Sequence, residues 1–409
     1  MSVKENDSAS LNLPAFRPGR LLIIVGVVLA AVLCVALIVW RRGPEELHEF
    51  PVCISKVESQ KAADEFSHLF HRHPTHADVL MLLAENSLQQ NHMEKSVDCF
   101  AAIPTDHRRY GPAARFQEGQ ILLRLNKADR AENSFRLFLQ LAEKPNVQPE
   151  QIKLARKWLV YLLAVQLRLD DRKIILDQMV AEQEFDVYDA KQLYFPSLLI
   201  WQSSLGRERL REFLQEDPAN RRLLIARARY LVGEGNLAEA HQLLATLRQQ
   251  VPRDAEVVAA SLECSFEENN WPHFAEVIAE APEFVESEPT HLTRMRGEWA
   301  LHNSDWAMAE QWLLHVLRRD PANPICHMGL ARAYQGLNRN EERQSTQQRS
   351  LILARIRVKL AAADNDSPDA IRVIAADAET LGMMEAAETF RTLAERMEAG
   401  THAGGQQRH

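Results

Sequence analysis

Glycine is scarce in this chain, 15 residues in 409. Long runs without glycine favour helices, because glycine is the residue that most weakens them. The 18 prolines fall mostly between apolar-periodic segments, where they stop one helix and begin another. A basic excess is also missing: the formal net charge is −8, which leaves no cationic footprint for nucleic acid. The five cysteines, Cys34, Cys53, Cys99, Cys264 and Cys326, are dispersed, odd in number and without a CxxC. That excludes a disulfide framework and gives no sequence-level zinc motif, so they read as small packing residues. Phosphate-binding glycine loops, HExxH, GxSxG and dinucleotide fingerprints are absent as well. No cofactor is expected.

One feature does suggest metal chemistry. His68, His71, His73 and His76 crowd the stretch SHLFHRHPTH, and imidazoles at this spacing can hold a transition metal. Pro74 interrupts the helix, however, and no carboxylate pattern completes a ligand set. A solvated helix end is the expected reading, and no metal site is assigned.

Residues 21–40, LLIIVGVVLAAVLCVALIVW, carry no charge. At about 1.5 Å per residue the run reaches about 30 Å, the thickness of a bilayer's hydrocarbon core. Arg17 and Arg20 flank one end, and Trp40, Arg41 and Arg42 the other, as interfacial anchors do. A cleaved signal peptide would have a shorter apolar run and a small-residue cleavage site. The expectation is an uncleaved, single-pass membrane helix with the large domain outside the cytoplasm. Gly26, Ala30 and Cys34 share one face of it and would permit a weak homodimer.

Beyond this run the dominant signal is repetition. Gly297, Ala300, Ala309 and Pro321 fall on one spacing, and Leu330, Ala331 and Tyr334 restart it, with 331 − 297 = 34. Ala228, Leu231, Gly235, Ala240, Leu244 and Pro252 hold the same frame, as do Gly119, Leu122, Ala131 and Phe135, and also Ala84, Ser96 and Phe100. Apolar residues at three- and four-residue steps make both halves of each unit amphipathic helices. Asn126–Asp129, Gly233–Asn236 and His302–Asp305 are the polar turns inside hairpins. Asp217-Pro218-Ala219-Asn220 and Asp320-Pro321-Ala322-Asn323 are the breaks between them.

This pattern resembles the tetratricopeptide repeat family. Its unit is a 34-residue helix–turn–helix with a small residue in the first helix, another early in the second, an aromatic or Leu four later and a closing Pro. Gly297, Ala309, Leu313 and Pro321 carry the match, as do Ala228, Ala240, Leu244 and Pro252; Arg343 departs from it where a small residue belongs. The resemblance implies an all-α, right-handed superhelical solenoid of helical hairpins, here preceded by the transmembrane helix. The expected organisation is a disordered tail (1–20), the membrane helix (21–40), a linker (41–52), the solenoid (53–397) and a flexible tail (398–409). The clearest units lie near 77–104, 112–145, 221–252, 290–321 and 324–357. Degenerate tracts cover 150–216 and 255–286, and a final hairpin or cap covers 368–397.

The resemblance also implies binding rather than catalysis, on a concave face lined by exposed residues of each first helix. By motif alignment these are Arg222, Ile225 and Arg229, then Arg294, Glu298 and His302, then Met328, Arg332 and Gln335. Arginines on successive faces could clamp a carboxylate-rich peptide or chain terminus through paired hydrogen bonds. The function expected is a membrane-anchored scaffold for protein or peptide partners, with no nucleic acid. The alternative is an enzyme, or an enzyme's regulatory subunit, with a site in the degenerate middle. Asp170, Asp171, Asp177, Glu182, Glu184, Asp186 and Asp189 gather there at irregular spacing.

Overall fold

The computed structural model describes residues 76–141, 147–199, 204–361 and 367–405. Every regular element among them is an α-helix. The chain divides between Tyr110 and Gly111 into two units. The first contains one described hairpin, α1 (Ala77–Gln89) and α2 (Met93–Ala102). Ser96 Oγ there donates to the carbonyl of Ala84 at 2.8 Å, beneath the buried Phe100.

The second unit begins with hairpins α3 (Gly111–Arg124)/α4 (Ala128–Gln140) and α5 (Pro149–Val165)/α6 (Leu169–Ala181). Two short helices follow, α7 (Val187–Tyr194) and α8 (Pro196–Leu199), then α9 (Ser204–Glu216). Regular hairpins resume with α10 (Arg221–Gly233)/α11 (Leu237–Gln250), α12 (Ala255–Glu267)/α13 (Trp271–Ala279) and α14 (Thr290–His302)/α15 (Trp306–Arg319). The last two are α16 (Pro324–Gly336)/α17 (Asn340–Ala361) and α18 (Pro368–Thr380)/α19 (Met384–Gly405).

All eight hairpins among the described residues turn by the same device. One residue adopts a left-handed backbone: Asn91, Asn126, Leu167, Gly235, Asn269, Ser304, Asn338 and Gly382, with φ from 53° to 78°. The next N–H then reaches back to the carbonyl five residues earlier, as from Lys127 to Leu122, Asn236 to Leu231 and Asp305 to Ala300, each at 2.9 Å. This is a Schellman ending, which satisfies carbonyls that a helix end would otherwise orphan. The following first helices are capped by side chains: Asn220 accepts from Leu223 N at 3.2 Å and Asn323 from Cys326 N at 3.1 Å.

Packing explains the small residues of the repeat. A Cβ added to Gly119 would sit 2.8 Å from the Phe135 ring, and one on Gly297 would sit 2.9 Å from Leu313. Phe135 and Leu313 are themselves fully buried. Each core then takes in the first helix of the next hairpin. Ala309, Leu313 and Val316 of α15 pack with Leu301 of α14 and with Cys326, Leu330 and Ala333 of α16. No hairpin covers its own apolar stripe, so neighbours stabilise one another.

The membrane assignment is corrected. The expected span, 21–40, lies outside the described residues, as do its dimer face and His68, His71 and His73. No helix among the described residues is long and apolar enough to cross a membrane. The 22-residue α17 is long enough, but Glu341, Glu342, Arg343, Arg349, Arg355, Arg357 and Lys359 are spread along it. A single-pass membrane localisation is therefore not carried further.

The Gly119–Phe135 contact gives a direct test. Gly119→Ala gains up to about 1 kcal/mol of helix propensity but overpacks an immobile ring, which costs roughly 1–3 kcal/mol. Net destabilisation is expected, read as a lower urea midpoint with an unchanged m-value.

Candidate functional site

The residues with the greatest chemical content gather around a cavity of about 430 Å³ within the second unit. One wall consists of first helices: Arg229 of α10, Glu263 of α12, His291 and Arg294 of α14, and Ile325 of α16. The opposite wall is the irregular tract, with Asp170, Lys173, Gln192, Pro196 and Ser197. Side-chain bonds hold that tract in place. Asp170 accepts from Thr290 N at 2.9 Å and from Thr290 Oγ1 at 2.5 Å, acting as a cap donated to α14 by a distant helix. Ser197 donates to Asp320, and Asn323 Nδ2 donates to Asp320 at 3.0 Å and to Ser197 at 3.1 Å. Farther along, Tyr194 hydrogen-bonds Thr389 at 3.0 Å, and Phe195 stacks on Phe390 at 5.8 Å.

Glu263 is the electrostatic hub. It is 7% exposed and accepts from Arg229 Nε at 3.0 Å, from Arg294 Nη2 at 3.1 Å and from the imidazole Nδ1 of His291. Arg229 also donates to Glu256 at 2.8 Å. Burial alone would raise the Glu263 carboxyl, but His291, Arg229 and Arg294 together hold it well below its ordinary range. Asp320 shows the opposite balance. It is fully desolvated, and burial pushes its carboxyl up although Ser197 and Asn323 donate to it.

These contacts revise the residues expected to face a partner. Ile225, Arg229 and Glu298 are buried, at 6%, 8% and 3% exposure, and the Arg294 side chain is 13% exposed. Ile225 belongs to the core of α10–α12. Arg229 and Arg294 are spent on Glu263, so they are not free clamps. Burial raises the Glu298 carboxyl, offset in part by Arg294 and Arg332. His302 is exposed but stacks on Trp271 at 3.8 Å. Arg222, Met328, Arg332 and Gln335 are exposed. Only Arg229 and Arg294 of the nine line the cavity.

The seven acidic residues singled out in the middle tract all have structural partners, Asp170 with Thr290 as described. Glu182 and Glu184 bind Arg156 at 2.6 and 2.7 Å, Asp171 binds Arg168, and Asp177 binds Lys173. Asp186 and Asp189 form a reciprocal cap on α7 and share Lys157. Sequence reasoning missed Glu263, His291, Arg319, Asp320 and Arg357 as cavity residues. The available signal was the 34-residue offset between Arg229 and Glu263 (263 − 229).

With eight like-turned hairpins and shared cores, the molecule is a helical-hairpin repeat protein. Residues 206–262 match the family model for the tetratricopeptide repeat, so this tract carries repeats of that type. No curated protein matches the chain. Among solved structures it is similar to a tetratricopeptide repeat protein from Parabacteroides merdae ATCC 43184, at 14% identity over 63% of this chain and 98% of that one, TM-score 0.31. Human IFIT1, solved as a dimer with PPP-AAAA, matches at 11% identity over 85% and 99% of the two chains, TM-score 0.35. Yeast Tom70 matches at 10% identity over 80% and 77%, TM-score 0.27. All three likenesses are distant.

The Glu263 hub predicts a pH signature. Its folded-state pKa is depressed below the ordinary 4.5, so its contribution is fully present above that value. The contribution is lost as pH falls from there through the folded-state pKa. Glu263→Gln should cost roughly 3–5 kcal/mol at neutral pH, because it strands buried cations. It should also flatten the acid limb of the stability–pH curve measured by urea unfolding.

Proposed function

We propose that this chain is a protein- or peptide-binding repeat scaffold without catalysis of its own, and that an acidic side chain or chain terminus of the partner enters the cavity. The observation that carries this reading is the state of two cations lining it. Arg319 donates only to neutral oxygens, the Glu288 carbonyl at 2.6 Å and Thr290 Oγ1 at 3.5 Å. Arg357 is exposed and makes no ion pair among the described residues. The other cavity cations are paired, Arg207 with Glu234 and Lys173 with Asp177 among them. A volume of about 430 Å³ suits one or two side chains rather than a folded domain.

Outside the cavity, Met328 on α16 and Leu351 and Val358 on α17 are exposed at 60%, 72% and 68%. They offer apolar contact to the rest of a partner segment. The reading without catalysis is supported by the structural use of Asp170, Asp171, Asp177, Glu182, Glu184, Asp186 and Asp189. No nucleic acid partner is invoked, in keeping with the net charge of −8.

The test is binding of fluorescent peptides, acidic against amide-neutralised, by fluorescence anisotropy. Acidic peptides should bind preferentially, and Arg319→Gln/Arg357→Glu should weaken them at least tenfold, about 1.4 kcal/mol. Helicity should be unchanged. Equal binding of both peptide classes, or undiminished binding by the folded double variant, would remove the cavity from the binding surface.

A further inference from the structure

A second cluster of donors lies outside the cavity, where α11 meets α12 and α13. Cys264 and Glu268 stand one helical turn apart at the end of α12 and so face the same way. His241 of α11 approaches from the preceding hairpin, and ligand atoms of these three residues all lie within 4.8 Å of one another. Cys264 Sγ is 4.0 Å from Glu268 Oε1, and His241 Nδ1 is 3.8 Å from Glu268 Oε2. A tetrahedral zinc ion with N, O and S ligands requires separations of about 3.3–3.6 Å. The three side chains therefore need to close by up to about 1.5 Å to reach bonding distance.

Two further observations point to an ion. A separate cavity of about 10 Å³, bordered by Arg248 as well as by His241, Cys264 and His273, is close to the volume that one small occupant needs. His273 of α13, whose ring lies 4.7 Å from that of His241, is also held in the tautomer a ligand requires. Ser265 Oγ donates to the Ser261 carbonyl at 2.9 Å, so its lone pair accepts from His273 Nδ1 at 2.7 Å. That leaves Nε2 unprotonated, the arrangement by which a neighbouring acceptor orients a metal-bound histidine. Arg248 Nη1 donates to this nitrogen at 3.4 Å while its Nη2 donates to Glu280 at 2.5 Å, and the ion would take the lone pair in place of the first contact.

We propose that His241, Cys264, Glu268 and His273 form a structural site for a divalent transition metal of the zinc class, clamping two successive hairpins together. As the metal–Sγ bond forms, the Cys264 thiol releases its proton to solvent and no electron changes hands. One thiolate and one carboxylate then balance the ion's two charges, so the half-buried site is neutral. Four protein donors close the coordination sphere, as in structural rather than catalytic sites.

Cobalt(II) replacing zinc in the full-length protein tests this. One equivalent should survive gel filtration, with tetrahedral d–d bands and a near-ultraviolet thiolate-to-cobalt band. Zinc should raise the melting temperature. Cys264→Ser should lose the thiolate band and the zinc-dependent rise. His241→Ala, at a half-exposed residue, should bind at least tenfold more weakly. Cobalt held only by the N-terminal histidines would give no thiolate band. That outcome overturns the site, as does a band that survives in Cys264→Ser or an unchanged affinity in His241→Ala.

Discussion

The fold depends on one steric bargain repeated along the chain. In the clearest units a small residue in the first helix lets the second helix approach, and seven residues later a left-handed residue reverses the chain. The pairs are Gly119 with Asn126, Ala228 with Gly235 and Gly297 with Ser304. Sixteen residues after the small residue comes the side chain that fills the gap, Phe135, Leu244 or Leu313. Because turn and contact are both local, each hairpin is defined by its own sequence. Because its outer stripe is apolar, it is stable only against a neighbour.

The irregular tract from α6 to α8 shows what happens when this bargain is suspended. Pro196 interrupts the chain after Phe195, and α7 and α8 are too short to form a hairpin. Their stability comes from distant elements: α14 through Asp170 and Thr290, α16 through Ser197 and Asn323, α19 through Phe195 and Phe390. These bonds span more than a hundred residues of sequence, so they close one wall of the larger cavity with side chains that no repeat pattern announces. This is also why acidic residues clustered in the middle tract look like a site in the sequence and act as structural partners in the fold.

Legibility in the sequence followed the range of the interaction. The all-helical repeat architecture was readable because its determinants recur at 34 residues, and even the departure at Arg343 coincides with the lengthened helix α17. Exposure of individual residues was less readable. Arg229 and Ile225 were assigned to an open face by alignment, but whether that face stays open depends on the next hairpin and on the irregular tract. The donors His241, Cys264, Glu268 and His273 were invisible as a motif because they belong to two hairpins and meet only when α11 packs on α12 and α13.

Arg229 and Glu263 stand one repeat apart, as do Glu298 and Arg332, since 263 − 229 and 332 − 298 are both 34. Arg229, Glu298 and Arg332 directly follow the small residues Ala228, Gly297 and Ala331, and Glu263 follows Leu262 at the equivalent place. A repeat protein that placed arginine there in every unit would stack like charges on successive helices. Here the order is Arg229, Glu263, Glu298, Arg332: Arg229 meets Glu263, Arg294 faces both glutamates, and Arg332 lowers the cost of burying Glu298. Arg229 and Arg332 thus spend their charge on the adjoining unit. Arg319 near the end of a second helix and Arg357 on the lengthened α17 are two cavity cations that the ladder leaves over, which is why the proposed recognition of an acidic partner rests on them.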